Sequence, residues 1–250
     1  MKKLILGALT VSTAFSQIDA AALVPLEATG WNQDIVIGAG ETTAGRTATM
    51  DDGVGGGRDT WYGVGRNSAA PSTGLPVGPT TSQTTPDLTF TLQPFSASNA
   101  VFNGGTLLLA TPTPLLRLAL IGSSGGQAAN LTVTVNFADT STQVFNNLGG
   151  SSVNSDWFNG SPVAYTANGR ITTGDGSFNN VNANNPRLYQ SIFTIADSTK
   201  NVVSVTIANA AGNGGKSAIM AISGEAIPEP STVGLLGLAA LGLVGRRRRA

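Results

Sequence analysis

An acidic, glycine-rich segment is the first place where the chain could hold a ligand. Asp51, Asp52 and Asp59 flank the glycines between residues 53 and 57. Calcium takes about six to eight oxygen ligands, and the carboxylates and main-chain carbonyls of a flexible loop can supply them. Arg58 lies in the same segment and would compete for the carboxylates. The segment therefore predicts either a structural calcium site at the three aspartates or a solvated loop.

Aromatic rings beside carboxylates form a second candidate site. Trp61 and Tyr62 follow Asp59, and Trp157 follows Asp156. A sugar can stack its C–H face on an exposed aromatic ring while a neighbouring carboxylate accepts hydrogen bonds from its hydroxyls. This pattern predicts a glycan contact at Trp61, Tyr62, Asp156 and Trp157. The alternative is that the large rings fill the core, where each buries about 150 Å² or more.

The composition excludes most kinds of catalysis. The chain contains no histidine and no cysteine, which removes Ser-His-Asp and Cys-His nucleophiles, zinc sites built on these residues, and disulfides. Glycoside hydrolysis needs only two carboxylates, but candidates such as Asp139 and Asp175 lie in predicted turns, where capping is the usual role. We therefore predict that the protein is not an enzyme and has no cofactor beyond the calcium considered above. A glycan-active enzyme is the remaining alternative.

The charges are segregated along the chain. The formal net charge is zero, but six of the fourteen basic residues lie in residues 1–22 and 231–250. Residues 23–230 keep eight basic and thirteen acidic residues and so carry a charge of about −5. Nucleic-acid binding requires a basic surface that neutralises phosphates. We expect no nucleic-acid partner.

Strand patterns must position the candidate residues. Apolar and polar residues alternate with a period of two in Leu131–Phe137, which indicates a half-buried strand. Further strands are predicted at residues 35–37, 61–64, 88–92, 107–110, 115–121, 189–195, 203–207 and 218–222. The runs at 115–121 and 218–222 are dense enough to predict strands covered on both faces. Clusters of Gly, Asn, Asp and Pro separate the strands as turns.

These strands predict an all-β fold, a jelly-roll-type β-sandwich, for a single domain over residues 23–226. Residues 66–87 are rich in Pro, Thr, Ser and Gly and predict a long surface loop, with an interdomain linker as the alternative. Within residues 88–224, the segments LTVTVNFADTST, RLYQSIFTI, VVSVTIAN and SAIMAISG resemble the galactose-binding-like sandwich modules of extracellular bacterial proteins. The resemblance implies a structural calcium ion.

The N-terminal 22 residues have the pattern of a secretory signal peptide. Lys2 and Lys3 precede an apolar run over residues 4–15, which is expected to be helical, and three alanines at 20–22 follow. Small residues at that distance from a short apolar run are what signal peptidase requires. The pattern predicts export across the inner membrane and removal of residues 1–22 by that enzyme.

The C-terminal segment, residues 227–250, has three ordered parts. The first part is the triplet Pro228, Glu229 and Pro230, and the second is an apolar stretch over residues 233–245. The third is a basic end formed by Arg246, Arg247, Arg248 and Arg249. Thirteen helical residues rise only about 20 Å, short of a hydrocarbon core of about 30 Å. The arginines would stay on the cytoplasmic side. The segment therefore predicts a short apolar helix that anchors the chain transiently, or an ordinary tail anchor.

The same three parts, in this order, resemble the PEP-CTERM sorting signal of Gram-negative bacteria. The resemblance implies that exosortase recognises the segment and cleaves it near residues 228–230, so that the body reaches the cell surface or the medium. It also implies a bacterium that makes polysaccharide and a biofilm or floc matrix. We therefore predict a surface or matrix protein with extracellular polysaccharide as a candidate partner. The alternative is a lectin-like carbohydrate-binding module.

Overall fold

The structure, a computed structural model, describes residues 22–43, 48–51, 58–146, 152–179, 184–209 and 215–227. These residues contain strands and turns and no helix, as the all-β prediction requires. No helix among them is long and apolar enough to cross a membrane. The predicted signal helix and the predicted C-terminal apolar helix lie outside the described residues.

Sixteen strands run through the described residues. The first eight are β1 (Val24–Pro25), β2 (Ala28–Thr29), β3 (Val36–Ile37), β4 (Asp59–Tyr62), β5 (Thr80–Thr81), β6 (Thr89–Phe90), β7 (Val101–Phe102) and β8 (Gly104–Gly125). The others are β9 (Leu131–Phe137), β10 (Thr142–Phe145), β11 (Val163–Thr166), β12 (Arg170–Thr172), β13 (Phe178–Asn179), β14 (Arg187–Thr194), β15 (Asn201–Asn209) and β16 (Lys216–Ala226).

The 22-residue strand β8 organises the fold. Its first half pairs with β2 and β15, and β15 continues through β9 to β10; we call these strands the outer sheet. Its second half pairs with β14 on one side and with β16 on the other. Strand β14 also pairs with β11, and β16 also pairs with β1 and β7; we call these strands the central sheet. Every one of these pairings is antiparallel. One continuous strand therefore belongs to both sheets.

Hydrophobic side chains cover the central sheet on both faces. In β8, Leu118 and Leu120 pack with outer-sheet residues such as Val135, forming what we call the inter-sheet core. The intervening Ala119 and Ile121 point to the opposite face and join a second cluster, which we call the aromatic core. Strand β16 divides its side chains between the two cores in the same way. The prediction that these two dense apolar runs form strands covered on both faces is confirmed.

The sequence predicted two strands where the structure has the single strand β8. The break was placed at residues 111–114, where Pro112 and Pro114 lack the amide hydrogen of a regular ladder. Residues 110–112 are exposed, at the place where the strand passes from the outer sheet into the central sheet. Proline is tolerated there because the strand changes partners at this point and Pro112 is exposed to solvent.

A smaller layer lies against the aromatic core. Strands β13, β12, β4 and β3 form a four-stranded sheet, in which β3 and β4 are parallel, and β5 pairs with β6. The predicted loop at residues 66–87 contains β5 and is tied to the rest of the fold. The Leu75 amide donates to the Tyr62 carbonyl at 2.7 Å, the Gln83 amide donates to the Ala164 carbonyl at 3.0 Å, and Leu75 is buried.

Candidate functional site

The two groups of candidate residues predicted from sequence meet at one arginine. Arg170 Nε lies 2.8 Å from Asp59 Oδ2, and Arg170 Nη1 lies 3.2 Å from Asp51 Oδ2. The guanidinium carbon lies 4.8 Å from the ring centre of Phe158 and 5.5 Å from that of Trp157. Together with Asp156, which interacts electrostatically with Arg170, we call these residues the Arg170 cluster.

Strand pairing brings the members of the cluster together. Strands β4 and β12 are antiparallel, with Asp59 opposite Thr172, whose hydroxyl donates to Asp59 Oδ1 at 2.7 Å. Asp156 begins a tight turn, in which its Oδ1 accepts the Phe158 amide at 3.0 Å. The Trp157 amide donates to the Ser124 carbonyl at 2.7 Å. The cluster therefore joins the small sheet to the end of β8.

The carboxylates of the cluster outnumber its one cation. Burial raises the pKa of Asp51 to about 6; the Arg170 guanidinium opposes this shift, and the charges of Asp59 and Asp156 add to it. Burial also raises the pKa of Asp156, and the hydrogen bond from the Phe158 amide and the charge of Arg170 oppose this shift. A proton on Asp51 therefore relieves the excess of negative charge that folding concentrates here.

This arrangement predicts a pH-dependent stability. Between pH about 4 and about 6 the folded protein retains a proton on Asp51 that the unfolded chain releases, so the free energy of unfolding falls as the pH rises. Asp51→Asn removes this titration. Chemical denaturation of both proteins from pH 4 to pH 7 should show that the free energy of unfolding of the variant rises relative to that of the wild type as the pH rises. If the difference between the two free energies did not change with pH, the raised pKa of Asp51 would be contradicted.

The structure corrects the predicted glycan contact at the aromatic residues. Trp61, Tyr62 and Trp157 are each only 1% exposed. Trp61 and Trp157 pack edge to face with their ring centres 5.4 Å apart, and the Tyr62 hydroxyl donates to the Asn168 carbonyl at 2.6 Å. None of the three rings offers an open face to a sugar. The alternative interpretation, that the rings fill the core, is the one observed.

The three predicted calcium ligands have different outcomes. Asp51 and Asp59 bind the Arg170 guanidinium, whereas Asp52 lies outside the described residues. In the part of the chain that the structure describes, no group of three or more acidic residues is arranged to hold a metal ion. A calcium site completed by Asp52 and its glycine-rich neighbours stays a prediction.

Two of the aspartates considered for glycoside hydrolysis, Asp139 and Asp175, close turns. Asp139 Oδ1 accepts the Ser141 amide at 3.0 Å, and Asp175 Oδ1 accepts the Ser177 amide at 2.9 Å. Hydrogen bonds from the serine hydroxyls and amides lower the pKa of both carboxyls, that of Asp139 to about 2. Both groups are therefore ionised at neutral pH, unsuited to act as the general acid of a glycosidase.

No sequence pattern indicates the open groove that lies beside strands β1 and β2. Three adjoining cavities of about 350, 570 and 160 Å³ follow one another; the first two share Thr91 and Gln93, and the last two share residues 25–27. Glu27 is the one charged residue among those that line them; prolines, threonines and Gln93 line them together with apolar residues such as Leu26, Val77 and Phe95. The groove therefore combines apolar surface with a small number of hydroxyl and amide groups.

The C-terminal end of the fold coincides with a known motif. Strand β16 ends at Ala226, and the model of the PEP-CTERM protein-sorting motif matches residues 226–249. The chain carries a PEP-CTERM sorting motif. This confirms the interpretation drawn from Pro228, Glu229, Pro230 and the arginines 246–249, which lie outside the described residues.

The PEP-CTERM motif identifies an exported protein that is targeted to exosortase. No curated protein and no solved structure matches the chain. The resemblance of residues 88–224 to galactose-binding-like modules therefore stays a prediction.

Proposed function

We propose that the protein is processed by exosortase near residues 228–230 and then acts at the cell surface or in the extracellular matrix, where it supports a biofilm or floc through association with polysaccharide. The observation that carries this proposal is the position of the motif. It begins at residue 226, where β16 ends. Removal of the tail therefore leaves every described strand in the body.

The side chains of the body favour a binding or structural role over catalysis. The chain has no histidine or cysteine, and the acidic residues Asp51, Asp59 and Asp87 form ion pairs with arginines. The hydrogen bond from Arg117 lowers the pKa of the Asp87 carboxyl, which makes that carboxylate a poorer base. These contacts support a protein that binds or assembles.

A jelly-roll-type β-sandwich is the finer architecture that we propose for the body. Support comes from the inter-sheet core, to which the outer and central sheets both contribute side chains. Further support comes from β8, which runs through both sheets.

A lectin-like module is the second candidate, and the groove favours it. Its threonine hydroxyls and the Gln93 amide can bond sugar hydroxyls, and its prolines offer flat apolar surface. Saturable binding to a glycan array, reduced by Gln93→Ala and unchanged by Asp175→Asn, would support this candidate. Absence of saturable binding would leave the matrix role as the better account.

Processing is tested in the native host. The wild-type protein should be recovered without the arginines 246–249, whereas Glu229→Ala should retain them, because the charged residue of the sorting triplet is lost. Intact-mass spectrometry of the two proteins measures this directly. Retention of the arginines in the wild type would contradict processing by exosortase.

The matrix role needs a separate experiment. Cells that lack the protein should aggregate less, or release more of their matrix polysaccharide, than wild-type cells. Restoring the full-length protein should reverse the loss, and the Glu229→Ala protein should reverse it less. Unchanged aggregation and matrix retention after deletion would reject the role.

A further inference from the structure

The sorting motif follows the folded backbone without a spacer. Glu225 and Ala226, at the end of β16, pair with Arg117 and Leu115 of β8. The next amide, that of Ile227, donates to the Pro114 carbonyl at 3.4 Å. The motif match begins at residue 226. The residues immediately before the Pro-Glu-Pro triplet are thus held in the central sheet.

An ion-pair network holds the first of these residues, Glu225. The Arg117 guanidinium binds the carboxylate of Glu225 through Nε and that of Asp87 through Nη2, the latter at 2.8 Å. The Glu225 side chain is only 8% exposed. We call Asp87, Arg117 and Glu225 the strand-end latch.

The latch secures a part of β16 that has lost its second neighbour. Strand β1 pairs with β16 only at Ser223 and Gly224. From Glu225 onward the backbone pairs with β8 alone. Because terminal residues of a strand are the first to open locally, the latch controls how often residues 225–227 separate from β8.

An enzyme that cleaves the chain near residues 228–230 needs residues 225–227 in a conformation that is not paired with β8. It binds the chain around the scissile bond in extended form and takes up main-chain hydrogen bonds that a sheet already uses. Cleavage breaks one peptide bond near residues 228–230: the carbonyl carbon passes to water or an amine, and the departing tail gains the proton on its new amino group. A strand end locked against β8 cannot enter such an active site.

We propose that exosortase acts on this protein only when residues 225–227 are detached from β8, and that the strand-end latch therefore limits the rate at which the folded protein loses its tail. This inference rests on the proposed processing of the motif. It makes the folded body, and not the motif alone, part of what the enzyme recognises. Chains whose strand end is still unpaired are processed first.

The test is a pulse-chase measurement of tail loss from the full-length protein in a host that carries exosortase. Glu225→Gln removes the charge that Arg117 holds and should speed tail loss about fivefold. Insertion of the four residues Gly-Ser-Gly-Ser between Ile227 and Pro228 leaves every folded residue in place and should speed tail loss at least as much. In the insertion variant, Glu225→Gln should then add little.

Ile171→Val is the matched control, because it weakens a buried contact in the small sheet without touching β16. It should leave the rate of tail loss unchanged. Equal rates for the wild type, Glu225→Gln and the insertion variant would overturn the inference, as would equal acceleration by Ile171→Val. Failure of the wild type to lose its tail at all would instead reject the proposed processing.

Discussion

Arg170→Leu is expected to lower the free energy of unfolding of the body by about 3–5 kcal/mol, because it leaves the buried carboxylates of Asp51 and Asp59 without their cation. The substitution also removes the stacking of the guanidinium on Trp157 and Phe158. Urea denaturation of the tail-processed protein at pH 7 measures the loss. At pH 5 the loss should be smaller, since Asp51 is then largely protonated.

Lys200 provides the matched control for this prediction. It too binds two carboxylates, with Nζ 2.9 Å from Asp139 and 3.7 Å from Asp197, but its side chain is 33% exposed and theirs are about half exposed. Lys200→Met should therefore lower the free energy of unfolding far less than Arg170→Leu does. Equal losses for the two variants would show that burial does not set the strength of the Arg170 cluster.

Trp157→Ala is expected to destabilise the body by a similar amount, about 3–5 kcal/mol, because it opens a cavity in the aromatic core. The ring contacts Trp61 and Phe158 edge to face, at centre distances of 5.4 and 5.5 Å. Thermal and urea denaturation should show a large loss for alanine and a smaller one for Trp157→Phe.

The exposed apolar residue Val77 is the comparison for Trp157. It is 76% exposed, so Val77→Ala should change stability by less than about 0.5 kcal/mol. If Trp157→Ala left the stability unchanged and abolished binding to a glycan, the ring would be a ligand contact and its assignment to the core would fail.

Local patterns predicted the strands well where one face of the strand is exposed to solvent or both faces are buried. Strand Leu131–Phe137 alternates buried and half-buried side chains, matching its sequence, and Asp139 forms the expected turn. Such features depend on neighbours in the sequence. Two of the two-residue strands, β3 and β6, lie in predicted segments. The others, β1, β2, β5, β7 and β13, are too short to show a period of their own.

The candidate site depended on contacts between distant residues. Asp51, Asp59, Trp61 and Trp157 were singled out by residue type, and they do lie close together. Arg170, the partner of Asp51, Asp59 and Trp157, is 119 residues from Asp51, and an isolated arginine after a glycine carries no local sign of that contact. Burial of the aromatic rings likewise depends on the small sheet closing over them. Residue type indicated the members of the cluster but not its role.

Strand β16 also determines how the body responds to mechanical force. A pull on Ile227 acts along the strand axis, whereas the ladder hydrogen bonds to β8 lie across it. The load is therefore shared along the 11 residues of β16 instead of opening one pair at a time. Because β8 continues into the outer sheet, its covalent backbone passes tension to both layers. A body tethered by its C-terminal end would bear shear from flowing water as one unit.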